Sequence, residues 1–132
     1  MRKFKSGATR DEDLTKLDYE GFISPIVLQR YAQYMQKHRI QKDKKIRASD
    51  NWQLGIPADA YVKSLIRHTM DVWLEHRGYD SRDGIEDALC GVMFNAMGYL
   101  FELLQTEDHI KAEFTKALIR DALFKMNKTR KC

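Results

Sequence analysis

Two cysteines and two prolines occur in the 132 residues. Cys90 lies inside an apolar stretch and Cys132 is the last residue, so a disulfide framework and a cysteine-rich zinc site are both excluded as organising devices. The expected compartment is reducing: the cytoplasm, or the host cytoplasm if the chain is phage-encoded. With so little proline, and only seven glycines, there is little to interrupt helices. No alternation of apolar and polar residues marks a strand, and no internal repeat recurs. No apolar run approaches the ~18 residues of a membrane span and the N-terminus is polar, so neither a signal peptide nor a membrane partner is expected. A phosphate-cradling glycine loop, a His-Asp doublet and a Ser-His-Asp arrangement are all missing.

The chain is 43% hydrophobic and 32% charged, apolar enough for a core and too apolar for a disordered segment. Its length fits one domain that buries roughly two-thirds of its unfolded surface. The net charge of +4 is modest and spread among acidic residues. It suits a phosphate-bearing ligand, and nucleic acid is not an expected partner.

Helix signals recur along the chain. Ser24 and Pro25 form a start signal, and Val27, Tyr31, Tyr34, Met35 and His38 follow at helical spacing, which predicts a first helix from about Pro25 to His38. Pro57 opens a second, with Tyr61, Val62, Leu65, Ile66, Thr69, Met70 and Trp73 as its apolar face and Gly78 as its end. Asp83, with Glu86 three positions on, reads as the capping box of a third helix near 84–105 that is apolar on most sides and therefore central. Thr106 caps a fourth, with Glu107 and Asp108 at its positive end and Ile110, Phe114, Ala117 and Leu118 as its inner face. The expectation is an all-α, four-helix bundle-like single domain over 1–132. Residues 1–23 form an irregular arm, 24–127 the helical core and 128–132 a frayed basic tail.

On the third helix Asp87, Gly91, Asn95, Gly98 and Glu102 fall within about 80° of one another. Such a stripe is either a solvent strip or a line of close approach. Interior glycine costs roughly 1 kcal/mol relative to alanine and admits another helix or a ligand to the backbone. On the second helix His68, Asp71 and Glu75 share a face. If the two helices form an antiparallel hairpin, His68, Asp71 and Asp87 converge as bundle metal ligands do, and oxygen-rich ligation favours Mg²⁺ or Mn²⁺. The loop over 39–56 carries Lys42, Lys44, Lys45 and Arg47, then Asp50, Asn51 and Trp52. Arg10, Lys16, Lys45 and Arg47 are candidate phosphate contacts. Trp52 either stacks on a base or plugs the core.

Taken together, Gly7-Ala8-Thr9-Arg10-Asp11, Asp50-Asn51-Trp52 with Gly55-Ile56-Pro57, Arg67-His68 with Trp73, and Asn95 resemble a largely phage-encoded family named for the N-terminal domain of a dATP/dGTP diphosphohydrolase. The resemblance spans roughly 7–104. It is more distantly similar to the MazG-like all-α nucleotide pyrophosphohydrolases. Their Glu-x-x-Glu and Glu-x-x-Asp pairs are replaced here by His68-x-x-Asp71 and Asp87. The resemblance implies Mg²⁺-dependent hydrolysis of purine (deoxy)nucleoside triphosphates to the monophosphate and pyrophosphate. In that reading His68, Asp71 and Asp87 hold the metal, and Asn95 and Glu102 orient water or ribose. Arg10 and Lys45 hold phosphate, and Asn51 and Trp52 meet the base. Two alternatives stand beside it: a nucleotide-sequestering protein without turnover, and an interaction module whose Gly91 and Gly98 pack on a second protomer. A homo-oligomer is expected under all three.

Overall fold

The Ser24–Pro25 start signal acts where the sequence places it. The Ser24 hydroxyl accepts from the Val27 amide at 3.4 Å, and Pro25 is the first residue of a helix over Pro25–Lys37. The computed structural model describes residues 1–11 and 15–130. In chain order its elements are β1 (Arg2–Lys3), β2 (Thr9–Arg10), the single-turn α1 (Tyr19–Phe22), α2 (Pro25–Lys37), a 3-10 turn (Asn51–Leu54), α3 (Ala58–His76), α4 (Ile85–Leu104) and α5 (Glu107–Arg130). The all-α expectation holds.

Four local readings need correction. The arm contains a minimal antiparallel pair, Arg2 opposite Arg10 and Lys3 opposite Thr9. The cap of α4 is Gly84, whose φ of 82° suits glycine, and not Asp83. The turn before it is drawn together by Glu75, whose Oε1 accepts from both the amide and the hydroxyl of Ser81 at 2.9 Å. The basic end is helical as far as Arg130, while Lys131, Cys132 and the side chains of Glu107 and Asp108 lie outside the described residues.

The core of the fold is the antiparallel pair α3–α4. Gly91 and Gly98 stand seven residues apart on α4, and His68 and Tyr61 stand seven apart on α3. Each ring enters the gap left by a missing Cβ. A Cβ on Gly91 would lie 2.5 Å from His68 Nδ1, and one on Gly98 would lie 2.3 Å from the Tyr61 ring. Tyr61 is 1% exposed, the most deeply buried large side chain among the described residues. The glycine stripe is thus filled by the chain's own second long helix and is not available to a second protomer.

This packing turns α4 over relative to a simple apolar-inward pattern. Its small and polar stripe faces inward: Ala88, Gly91, Asn95 and Gly98 are buried. Its apolar positions Ile85, Leu89, Met93, Met97, Leu100 and Leu104 are exposed. On α3, Val62, Ile66, Met70 and Trp73 are exposed as well, as are Ile110, Phe114 and Leu118 on α5. The inner faces expected for α3 and α5 therefore lie largely on the surface. α4 is also, among the described residues, the one helix long and apolar enough to cross a membrane, with 20 residues and a mean hydropathy of 1.2. The expectation that no segment reaches that length is corrected accordingly. Its partner α3 carries Lys63, Arg67, Asp71 and Glu75.

The Gly98→Ala variant separates packing from helix propensity. Propensity alone predicts a gain of about 1 kcal/mol. The Tyr61 ring in the way predicts a net loss of about 1–3 kcal/mol, read by urea denaturation followed by circular dichroism. A more stable variant would show that the ring yields without cost.

Candidate functional site

Ion pairs hold α2 across the N-terminal turn of α4. Arg30 reaches Glu86 Oε1 from Nε at 2.9 Å and Asp87 Oδ1 from Nη2 at 2.6 Å, and Lys37 pairs with the other Asp87 oxygen. Two carboxylates at the positive end of a helix dipole are favourable there before any partner arrives. The Asp87 side chain is only 13% exposed, so its two cations meet it in a partly water-excluded setting. The hydrogen bond from Lys37, then that from Arg30, holds the Asp87 carboxyl below its ordinary 3.8.

After α2 the chain folds into a small hairpin. Arg47 N donates to Arg39 O at 2.8 Å, Ile40 bridges Ile46, and Lys44 turns the corner with a φ of 65°. The Arg39 Nε also donates to the Arg47 carbonyl at 2.9 Å. The backbones of Arg39 and Arg47 thereby lie side by side, and the Arg39 guanidinium is held further by Nη1 donating to Gln36 Oε1 at 3.1 Å. The 3-10 turn follows. Its Trp52 lies edge-on to Phe101 at 4.8 Å and to Phe94 at 6.4 Å. Glu102 tethers the next residues by accepting from the Ile56 amide at 3.3 Å.

Between α2, this loop and the α3–α4 pair lies a cavity of about 650 Å³. That is within the roughly 300–1,000 Å³ range of small-molecule sites. Tyr31 and Tyr34 line it from α2, Trp52 and Ile56 from the loop, and Phe94 from α4. Polar groups converge on the same space: His38, Arg39, Arg47, Ser49 and Asn51 from the loop, Ser64 and His68 from α3, and Asn95 from α4. Several of these are short of partners. The Tyr31 hydroxyl and His68 Nδ1 are buried without a hydrogen bond. Burial pushes the Tyr31 phenol up to about 12. Burial, and then the charge of Arg82, lowers the His68 imidazole below 6.5, so it is neutral at pH 7. Asn95 is 4% exposed, and its amide donates to Gly91 O at 2.7 Å.

Of the residues singled out in the sequence, Asn51, Trp52, His68 and Asn95 come together at this cavity. Trp52 packs on Phe94 and Phe101 of α4 and also lines the cavity. Asp71 does not join them: it is buried and takes Arg82 Nη2 at 2.6 Å and Nε at 3.1 Å. Asp87 is held by Arg30 and Lys37, and Glu102 by the Ile56 amide. His68 meets Gly91, one turn before Asn95 on α4. Among the described residues no three His, Cys, Asp or Glu side chains are grouped to hold a metal ion. As placed, His68, Asp71 and Asp87 do not fit the Mg²⁺ or Mn²⁺ site expected of them. Arg10 and Lys45 are exposed and do not line the cavity. Arg47, one of the four basic candidates, does, and Arg39 joins it. Arg39 carried no signal beyond its place before a basic stretch, and Tyr31 read only as helix core.

The chain matches no protein-family model, no curated protein and no solved structure.

His68 and Asp87 both bind a proton more weakly when folded, so each contributes stability that is full above its unfolded pKa and lost as pH falls through its folded value. His68 acts below about pH 6.5 and Asp87 below about 3.8. The C2 proton of His68 in NMR should titrate with a midpoint below 6.5. Asp87→Asn should be less stable than the wild type at pH 7 and converge on it as pH drops below about 3.8, in urea melts at fixed pH. Parallel stability curves down to pH 3 would remove Asp87 from the acid response.

Proposed function

We propose that this protein binds a purine (deoxy)nucleotide in the cavity between α2, the 39–56 loop and the α3–α4 pair. The observation that carries the reading is the pairing of an aromatic wall with two arginines, Arg39 and Arg47, at the same cavity. Tyr31, Tyr34, Trp52 and Phe94 offer flat apolar surface to a base. Arg39 and Arg47 offer planar forks that suit phosphate oxygens. Between them Asn51, Ser64, His68 and Asn95 supply polar groups for the base edge or sugar. A neutral His68 and an un-ionised Tyr31 can each donate or accept, which suits a ligand with both kinds of edge. Base–aromatic stacking is worth about 1–3 kcal/mol per base, so one tryptophan is a large share of such an affinity.

Binding without turnover is the form the geometry supports best, because the carboxylates Asp71, Asp87 and Glu102 are already engaged. Hydrolysis of a purine (deoxy)nucleoside triphosphate is the second reading. It is favoured by one feature: Asp71 is 5% exposed and one helical turn from His68, and a buried carboxylate beside an imidazole is a frequent mark of chemistry. It requires the ion pairs of Asp71 and Asp87 to open.

Isothermal titration calorimetry with dATP, dGTP, ATP and GTP, with and without Mg²⁺, tests both readings, with the ligand recovered and identified afterwards. At least one purine nucleotide should bind with a 1:1 chain ratio. Trp52→Ala should weaken it ~5- to 150-fold. Arg47→Ala should weaken triphosphate binding more than nucleoside binding. Intact ligand marks binding alone, whereas monophosphate with pyrophosphate marks the hydrolase. No heat with any of the four nucleotides would dispose of the proposal.

A further inference from the structure

The surface of the chain is too large for a monomer of its size. The accessible area is 11480 Å². Folded monomers of 15.5 kDa expose about 7,200 Å² by surface scaling. The difference is about 4,300 Å² per chain, or about 8,600 Å² for two, more than the roughly 2,000–5,000 Å² that a pair of obligate homodimer subunits buries, so a full-sized dimer interface accounts for a large part of it.

The excess is concentrated in two places. The first is the outward stripe of α4, with Leu89, Met93 and Leu100 at 47%, 37% and 55% exposed. From Ala88 to Phe101 that helix has no charged residue. The second is α5. All its described side chains from 110 to 130 are exposed, and it barely touches α4. Yet it is apolar on two sides: Ile110, Phe114 and Leu118 on one, Ile119, Leu123 and Met126 on the other. A lone 24-residue helix with two apolar sides in water lacks two neighbours. The bare face and the unpartnered helix belong to one chain, but α5 scarcely touches its own α4. At about 1.5 Å per residue the two helices are close in length, ~30 and ~36 Å.

We infer that the protein is a two-fold homodimer in which α5 of each copy lies along the outward apolar face of the other copy's α4. The second apolar side of α5 then meets the α5 of the other copy near the axis. An exchange of this kind needs no charge complementarity from α4, which has none to offer, and it closes on itself so that the outward face of α4 and both apolar sides of α5 are covered. It is independent of the nucleotide reading.

Sedimentation velocity on the full-length chain gives the test, with circular dichroism to check helix content. The wild type should sediment as a dimer. Met93→Glu on α4, and separately Phe114→Glu and Leu118→Glu on α5, should each raise the dimer dissociation constant at least 100-fold while helix content is retained. All three sites are exposed within one copy, so the fold of the monomer should survive. If Met93→Glu loses helix content, Leu100→Glu takes its place, and the α5 variants decide in any case. Mixing Met93→Glu with Phe114→Glu should restore dimer, because one chain keeps an intact α5 and the other an intact α4 face. Three results overturn the proposal: a wild type that is monomeric, a dimer indifferent to the α5 substitutions, or a monomer that floats with vesicles of phosphatidylcholine and phosphatidylglycerol.

Discussion

The fit of two α3 rings into two α4 glycine gaps is the constraint on which the rest of the structure depends. His68 over Gly91 and Tyr61 over Gly98 fix both the separation and the register of the pair. With any side chain at either glycine the helices would have to part, and the shift would be felt along their whole length, because packed interiors transmit strain. The two ends of the pair are then fastened by local bonds. Glu75 gathers the turn at Ser81, and Glu102 holds Ile56 just before α3 begins. His68 and Asn95 are carried onto one wall of the cavity by the same register. The cost of two interior glycines is offset by the close contact they permit.

Helix positions were legible in the sequence and helix orientations were not. Ser24 and Pro25, Pro57, and Gly78 with a φ of 85° all act at the element ends where their chemistry predicts. Capping is a local matter of backbone groups and adjacent side chains, so local sequence carries it. Which face turns inward is a tertiary matter. A pattern of apolar residues at 3.6 spacing points inward only if burial of apolar area decides the packing. On α4 it does not decide, because the helix is apolar on most sides and any rotation buries a similar amount. Shape decides instead. The narrow stripe with glycines is where a second helix comes closest, and the bulky Leu and Met positions are left outside. The stripe of Asp87, Asn95 and Glu102 was therefore visible as a stripe, while its meaning depended on Tyr61 and His68.

The candidate site divides in the same way. Asn51 and Trp52 stand in a loop between two well-signalled helices, where polar and aromatic residues have no packing reason to be conspicuous. Arg39 and Arg47 were obscured because eight positions separate them in sequence, and only the hairpin through Ile40 and Ile46 makes them neighbours. The acidic candidates meet partners that the sequence pattern does not show. Counting carboxylates along a helix says nothing of the cations that fold onto them. Arg82 comes from the turn and Arg30 and Lys37 come from α2, and each neutralises a charge that would otherwise be free for a metal. With 23 lysines and arginines against 19 aspartates and glutamates, a cation is at hand for each of these two carboxylates, Arg82 for Asp71 and Arg30 with Lys37 for Asp87.

The composition of α4 follows from the number of neighbours it serves. One side receives α3 through small residues. A second supplies Phe94, Asn95 and Met97 to the cavity. A third, with Leu89, Met93 and Leu100, faces outward. An amphipathic helix has one apolar stripe and one solvated face, and it can serve one or two of these purposes but not three. Charges therefore survive on α4 only at its ends, as Glu86 and Asp87 under α2 and as Glu102 beside Ile56. A helix buried by its own chain alone would need α5 folded back over it. In this chain α5 scarcely touches α4, so the third side of α4 stays uncovered within one copy and motivates the proposed dimer. Met97 ties the two proposals together: it lines the cavity and stands in the outward stripe, so the proposed ligand and the proposed partner would meet the same helix on adjoining sides.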